Sequence, residues 1–181
     1  MLWPNHGEIE MRSIFNGFGV CALAVGLTLV AMGRAEDDKA KKIPLDKAPK
    51  AVRDAIQGRF PGADVNSIEK ETEKGKVVYD VELKQKGRKY EMDIQEDGTI
   101  IEIEKEVALN DVPAPVMQAL KAKFPKATIK EVMEVNKVTG KRETPDHYEV
   151  TIETADKKTQ EVTVSLDGKS IKKEGEDKDK K

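Results

Sequence analysis

LDKAPKAVRDAIQGRFPGA, residues 45–63, and LNDVPAPVMQALKAKFPKA, residues 109–127, are two spellings of one segment. Leu45, Pro49, Val52, Ala55, Phe60, Pro61 and Ala63 recur as Leu109, Pro113, Val116, Ala119, Phe124, Pro125 and Ala127, always 64 positions on. Downstream, Tyr79-Asp80-Val81 is echoed by Tyr148-Glu149-Val150, and Asp97-Gly98 by Asp167-Gly168. The matched positions are apolar or turn-forming, so they report a scaffold. A self-similarity of this length outranks local signals when the fold is assigned.

Each copy opens with a helix. Val52, Ala55, Ile56 and Phe60 form one apolar stripe at helical spacing, as do Val116, Ala119, Leu120 and Phe124. Asp46, and Asn110 or Asp111, are the expected N-caps, with Pro49 and with Pro113 and Pro115 in the first turns. Proline after each Phe drives that Phe out of the helical region and stops the helix.

Strands follow at period two. In the first copy they are Val65–Glu73, a strand carrying Val77, Tyr79, Val81 and Leu83, one carrying Tyr90, Met92 and Ile94, and Thr99–Glu104. Asp97-Gly98 is the clearest hairpin signal. In the second copy they are Thr128–Val138, His147–Thr154, Thr159–Leu166 and Lys169–Lys173, with an insertion at Val138–Asp146 in the first hairpin. The fold class is therefore α+β: two tandem repeats, each a helix packed on a four-stranded antiparallel meander sheet.

The expected division is a signal peptide over 1–35, a charged linker over 36–42, repeats over 43–106 and 107–174, and a charged tail over 175–181. Arg12, the apolar run from Ile14 to Met32 and the exit Gly33-Arg34-Ala35 read as a secretory signal cleaved after Ala35. The run is also long enough for a transmembrane anchor, but Gly17, Gly19, Gly26 and the small-residue exit favour cleavage. Glu8 and Glu10 suit no basic n-region, so Met11 is the expected start. Cys21 lies inside the apolar run and does not read as a lipidation site.

The leader would remove Arg12, Arg34, Glu8 and Glu10, so the net charge stays at the −2 of the whole chain. It would also remove the one Cys and the one Trp. No disulfide or thiol chemistry is then expected. A near-neutral chain gives no case for nucleic acid, and no stable membrane insertion is expected after cleavage. Localisation is expected to be secreted or periplasmic.

The ordered set Phe-Pro-(Gly/Lys)-Ala, Tyr-(Asp/Glu)-Val and Asp-Gly, present twice across about 43–174, resembles the PepSY-like, β-lactamase-inhibitor-like domain of secreted bacterial proteins. The resemblance implies two repeats with sheets side by side and a concave sheet face that holds a partner. It also implies binding or inhibition of an exported enzyme, often a peptidase, without catalysis. The chain has few of the aromatic anchors that dominate tight interfaces.

The candidate surface is the sheet face opposite the core stripe. Alternation puts Asp80, Glu82, Glu91, Asp93, Glu102 and Glu104 there, and in the second copy Glu149, with Glu161 and Lys172 at equivalent positions. Such a field attracts cations or basic segments. The plain alternative is a solvated face neutralised by Lys84, Lys86 and Lys89. Paired catalytic carboxylates are not expected, because nothing apolar nearby would raise one of them. His147, between Asp146 and Tyr148, is expected to point to solvent; a single histidine completes neither a metal cluster nor a triad with Ser67, Ser165 or Ser170. No catalytic residue, metal set or cofactor is expected. The leading reading is an exported, non-catalytic module that engages another exported protein through this face. The alternative is an envelope protein that takes up cations or a small ligand on the acidic face of the first repeat.

Overall fold

The two Phe-Pro segments end two helices of nearly identical geometry. In a computed structural model of the chain, α1 spans Lys50–Arg59 and α2 spans Ala114–Lys123. Each ends as Phe60 or Phe124 turns to φ −128° while its N–H still donates to Ile56 or Leu120. The structure describes residues 41–73 and 75–173, all within one compact unit, Ala35–Lys181. The expected leader, most of the linker and the tail lie outside the described residues.

The helices start later than their expected caps. Asp46 falls in a short 3₁₀ turn, Leu45–Lys47, and Asn110 and Asp111 lie before α2. Pro49 and Pro113 take the N-cap positions, and neither helix has a side-chain cap bond. Proline pre-sets the backbone angle of a helix start and has no N–H to satisfy, so it displaces the carboxylate cap.

Among the described residues, nine strands form a single antiparallel sheet in chain order: β1 Lys41–Lys42, β2 Asp64–Glu73, β3 Lys76–Gln85, β4 Arg88–Gln95, β5 Ile100–Glu106, β6 Thr128–Thr139, β7 Arg142–Glu153, β8 Thr159–Ser165 and β9 Ile171–Lys173. β1 corrects the linker: Lys41 and Lys42 pair with Lys70 and Glu69 as an edge strand. The insertion is corrected too. It is no loop but lengthens the β6–β7 hairpin to two strands of 12 residues, turning at Gly140, with Asp146 left over in a bulge between Pro145 and His147. The halves meet where β5 pairs β6, from Glu102 opposite Lys137 to Glu106 opposite Met133.

Both helices cover one face of this sheet. Val52, Ile56 and Phe60 bury against Tyr79, Val81, Leu83, Met92, Ile94 and Ile103. Val116 and Leu120 bury against Val132, Tyr148, Val150, Ile152, Val162 and Val164. The Phe60 ring tilts against Tyr90 with centroids 4.7 Å apart.

The Asp-Gly pairs do more than turn hairpins. Gly98 has φ +88°, and a Cβ on it would lie 2.7 Å from the Ala51 carbonyl oxygen, in the first turn of α1. Gly168 has φ +70°, and its Cβ would lie 2.4 Å from the Pro115 oxygen, in the first turn of α2. Each hairpin thus seats the start of its helix on a residue that has no side chain. The aspartate locks the turn by accepting from the N–H of Thr99 at 2.9 Å, or of Lys169 at 3.0 Å.

Candidate functional site

The helix-free face takes its content from strand register. The β2–β3, β3–β4, β4–β5 and β5–β6 pairings carry one row from Glu69 through Asp80, Asp93 and Glu102 to Lys137. A second row runs from Glu82 through Glu91 and Glu104 to Val135 and His147. All six expected carboxylates of β3, β4 and β5 therefore stand directly opposite one another. Paired Cβ atoms across an antiparallel sheet are about 4.5–5.5 Å apart, and like charges at that spacing are destabilising.

The second half of the face differs. Met133 and Val135 are buried there, at 4% and 0% exposure, although they lie opposite the helix-covered core. His147 is brought beside Glu149: its Nδ1 lies 2.8 Å from Asp146 and its Nε2 3.3 Å from Glu149. Its side chain is only 16% exposed, which corrects the expectation of a solvent-pointing histidine. The β6–β7 bulge turns Asp146 toward it and toward Lys137. Ser165 sits across from His147, but its hydroxyl donates to Asp167 at 2.7 Å and accepts from the Ser170 N–H, so it is engaged with its own turn.

Cations meet only part of this charge. Lys137 bonds Glu102, which is 5% exposed. Of the three lysines expected to neutralise the face, Lys89 does so, 2.8 Å from Glu91 and 3.2 Å from Glu131. Burial, joined by the charges of Glu91, Glu71, Glu69 and Glu82, raises Asp80 to about 7. Burial likewise raises Glu102, against the opposing bond and charge of Lys137. It raises Glu104 well above the usual range, with Glu149, Glu91, Glu102 and Asp93 adding to the effect. The expectation that nothing apolar nearby would raise one of these carboxylates is therefore overturned, because burial is the first cause of each rise. Their mutual charge adds to that burial at Asp80 and Glu104.

His147 and Glu149 move the other way. Burial disfavours charged imidazole, but bonds to Glu149 and Asp146 outweigh it and raise His147. Burial also opposes ionised Glu149, yet bonds with His147 and Glu161, plus the charges of His147 and Lys137, lower it overall. Chemically, the second half holds a compensated ion cluster and the first half one that is compensated only in part. Among the described residues no group of three or more His, Cys, Asp or Glu side chains converges as a metal set. No helix among them is long and apolar enough to cross a membrane.

The model of a family described as "Putative beta-lactamase-inhibitor-like, PepSY-like" matches the chain twice, over residues 34–102 and 77–172. The chain belongs to the PepSY-like family. Solved structures similar to this PepSY-like chain share its fold. A protein of Bacteroides eggerthii named a putative periplasmic protein is 18% identical, with TM-score 0.53, over 70% of this chain and 88% of its own. A DUF2874-family protein of Bacteroides uniformis is 15% identical, with TM-score 0.53, over 70% and 89% of the two chains. Another, of Bacteroides ovatus, is 13% identical, with TM-score 0.51, over 71% and 89%. No curated protein matches the chain.

Sequence reasoning missed the residues that reach the face from β6 and its bulge: Glu131, Met133, Val135, Lys137 and Asp146. Alternation along β6 could have assigned Met133, Val135 and Lys137 to one face, but not to the neighbourhood of Glu102 and Glu104. That depends on the β5–β6 register.

Proposed function

We propose that this PepSY-like chain is an exported, non-catalytic binding module that engages another exported protein, such as a peptidase, through the helix-free sheet face. The observation that carries the reading is the two rows of opposed carboxylates, Asp80–Asp93–Glu102 and Glu82–Glu91–Glu104, with His147 and Glu149 beside them. A sheet face that concentrates like charge spends stability on surface chemistry, which is intelligible where the surface has a partner. The periplasmic naming of a solved structure of the same fold supports an envelope setting.

The two halves are tandem copies of one unit, a helix followed by a four-stranded meander, with boundaries at 43–106 and 107–174. Support comes from the two matched stretches of the family model and the recurrence of helix, Phe-Pro stop and Asp-Gly turn. Residues 1–35 act as a cleaved leader; N-terminal sequencing of the exported protein should begin at Glu36, and retention of the apolar run would refute this.

The test of function is capture. Immobilised protein should retain a specific partner from envelope or culture extract, and Thr151→Trp, placed on the same face of β7, should abolish the capture. Retention that ignores this obstruction would remove the face from the reading.

A further inference from the structure

Among the described residues, several cations pair with carboxylates on the helix-free face, Lys42 with Glu69 among them, while Lys84 on β3 stays exposed. Lys89 serves Glu91 and Glu131, Lys137 serves Glu102 and Asp146, and His147 serves Asp146 and Glu149. Two carboxylates are left over. Asp80 lies between Glu69 on one neighbouring strand and Asp93 on the other. Glu104 stands at the centre, between Glu91 and Val135, and feels Glu149, Glu102 and Asp93 as well. Neither has a hydrogen bond or an ion pair among the described residues, and Glu104 is half-buried with its oxygens within reach of solvent. A carboxylate that is half-buried, unpartnered and surrounded by its own sign is an unmet demand for a cation.

We propose that Glu104 and Asp80 receive the lysine or arginine side chains of a cationic segment of the protein partner. This rests on the sheet-face reading above and names the chemistry of what that face takes. Diagonal placement on neighbouring rows, with Glu91 and Asp93 between them, suits a segment lying across the strands and presenting two positive groups. An arginine fork can bond two carboxylate oxygens at once, so arginine should be preferred to lysine. Val135 and Met133, beside Glu104 and Glu106, lower the local dielectric and strengthen the pairing. Burial first, and neighbouring carboxylates second, raise both groups in the free protein; an arriving cation favours their ionised forms, so binding should expel protons near neutral pH.

The test uses purified protein and three decapeptides of glycine and serine carrying three arginines, three lysines or three glutamates. Binding is followed by calorimetry and by amide shifts. The arginine peptide should bind best, the lysine peptide more weakly and the glutamate peptide not at all. Added salt should weaken binding, and Glu104→Gln combined with Asp80→Asn should weaken it by about tenfold or more. Asp54→Asn, on the exposed side of α1, should leave it unchanged. The double variant removes repulsion and should melt no lower than the parent, so loss of binding would not reflect loss of fold.

Equal binding by the double variant, or no binding of either cationic peptide, overturns the proposal. So does calcium chloride alone producing the same amide shifts with the same dependence on Glu104 and Asp80, since the occupant would then be an ion. Partner capture separates this from the parent reading. Capture blocked by Thr151→Trp but indifferent to the double variant sinks the cationic occupant and leaves the sheet face. Capture indifferent to Thr151→Trp sinks the sheet face whatever the peptides do.

Discussion

The two faces of this one sheet are built on opposite rules. On the helix-covered face, Val81, Leu83, Met92, Ile94, Val150 and Val162 are almost wholly buried, and each half closes over them with a helix seated on a glycine. On the other face, strand register sets carboxylate against carboxylate across three strands. The first face stabilises the fold, and the second takes some of that stability back. The contrast is what supports the proposed sheet-face role, because a surface that works against folding asks for a reason other than folding.

The comparison breaks most severely at the helix seats. Gly168→Ala must clear a carbonyl oxygen at 2.4 Å and hold φ +70° with a side chain, so a loss of about 3 kcal/mol or more is expected in urea unfolding. Gly98→Ala should behave similarly. Gly62→Ala shares a positive φ but meets nothing within 4 Å, so it should cost only about 1 kcal/mol. Equal losses at Gly62 and Gly168 would show that backbone angle alone matters. Leu83→Ala, in the same covered face, should cost about 2–5 kcal/mol.

Smaller effects of opposite sign belong to the other face. Glu104→Gln keeps the shape and removes one charge from the centre of the rows, so it should stabilise, by up to about 1 kcal/mol on the scale of cross-strand pairs. A destabilised Glu104→Gln would mean that the carboxylate is satisfied in the folded protein.

Acidity should act in the same direction. Asp80 titrates near 7 in the folded chain against its ordinary 3.8. Between those values the folded chain holds a proton that the unfolded chain has lost, and stability falls as pH rises. His147, raised above its ordinary 6.5, adds to this: its contribution is complete below 6.5 and fades as pH climbs through the folded value. Glu149, lowered below 4.5, opposes it only at greater acidity. Thermal melts should therefore show a midpoint higher at pH 5.5 than at pH 8, by roughly 5 °C. A flat or rising profile across that range would contradict the crowding. The smallest effect is expected far from both features: Asp54→Asn, which breaks an exposed pair with Lys50, should change stability by about 0.5 kcal/mol or less.

What could be read from the chain alone was whatever depends on neighbours in sequence. A period of two assigned Asp80, Glu82, Glu91, Asp93, Glu102 and Glu104 to one face, since successive strand residues must alternate. The helix stripes and Phe-Pro stops were legible because helical spacing and the restriction before proline are local too. The N-caps were misread because a proline start competes with a carboxylate cap, and 138–146 was misread because its glycine and proline suggest a loop whether or not the flanking residues pair.

Tertiary structure alone decided three things. It set the β5–β6 register that brings Lys137 to Glu102 and Val135 to Glu104. It gave the turn glycines their second task beneath the helices, which turn chemistry by itself does not require. And it packed Asp80, Glu102 and Glu104 closely enough that burial, joined by neighbouring carboxylates, raises three groups expected to be solvated. Each depends on contacts between residues distant in sequence, where a displacement of one position would change the partner, and alternation carries no information about which position is chosen.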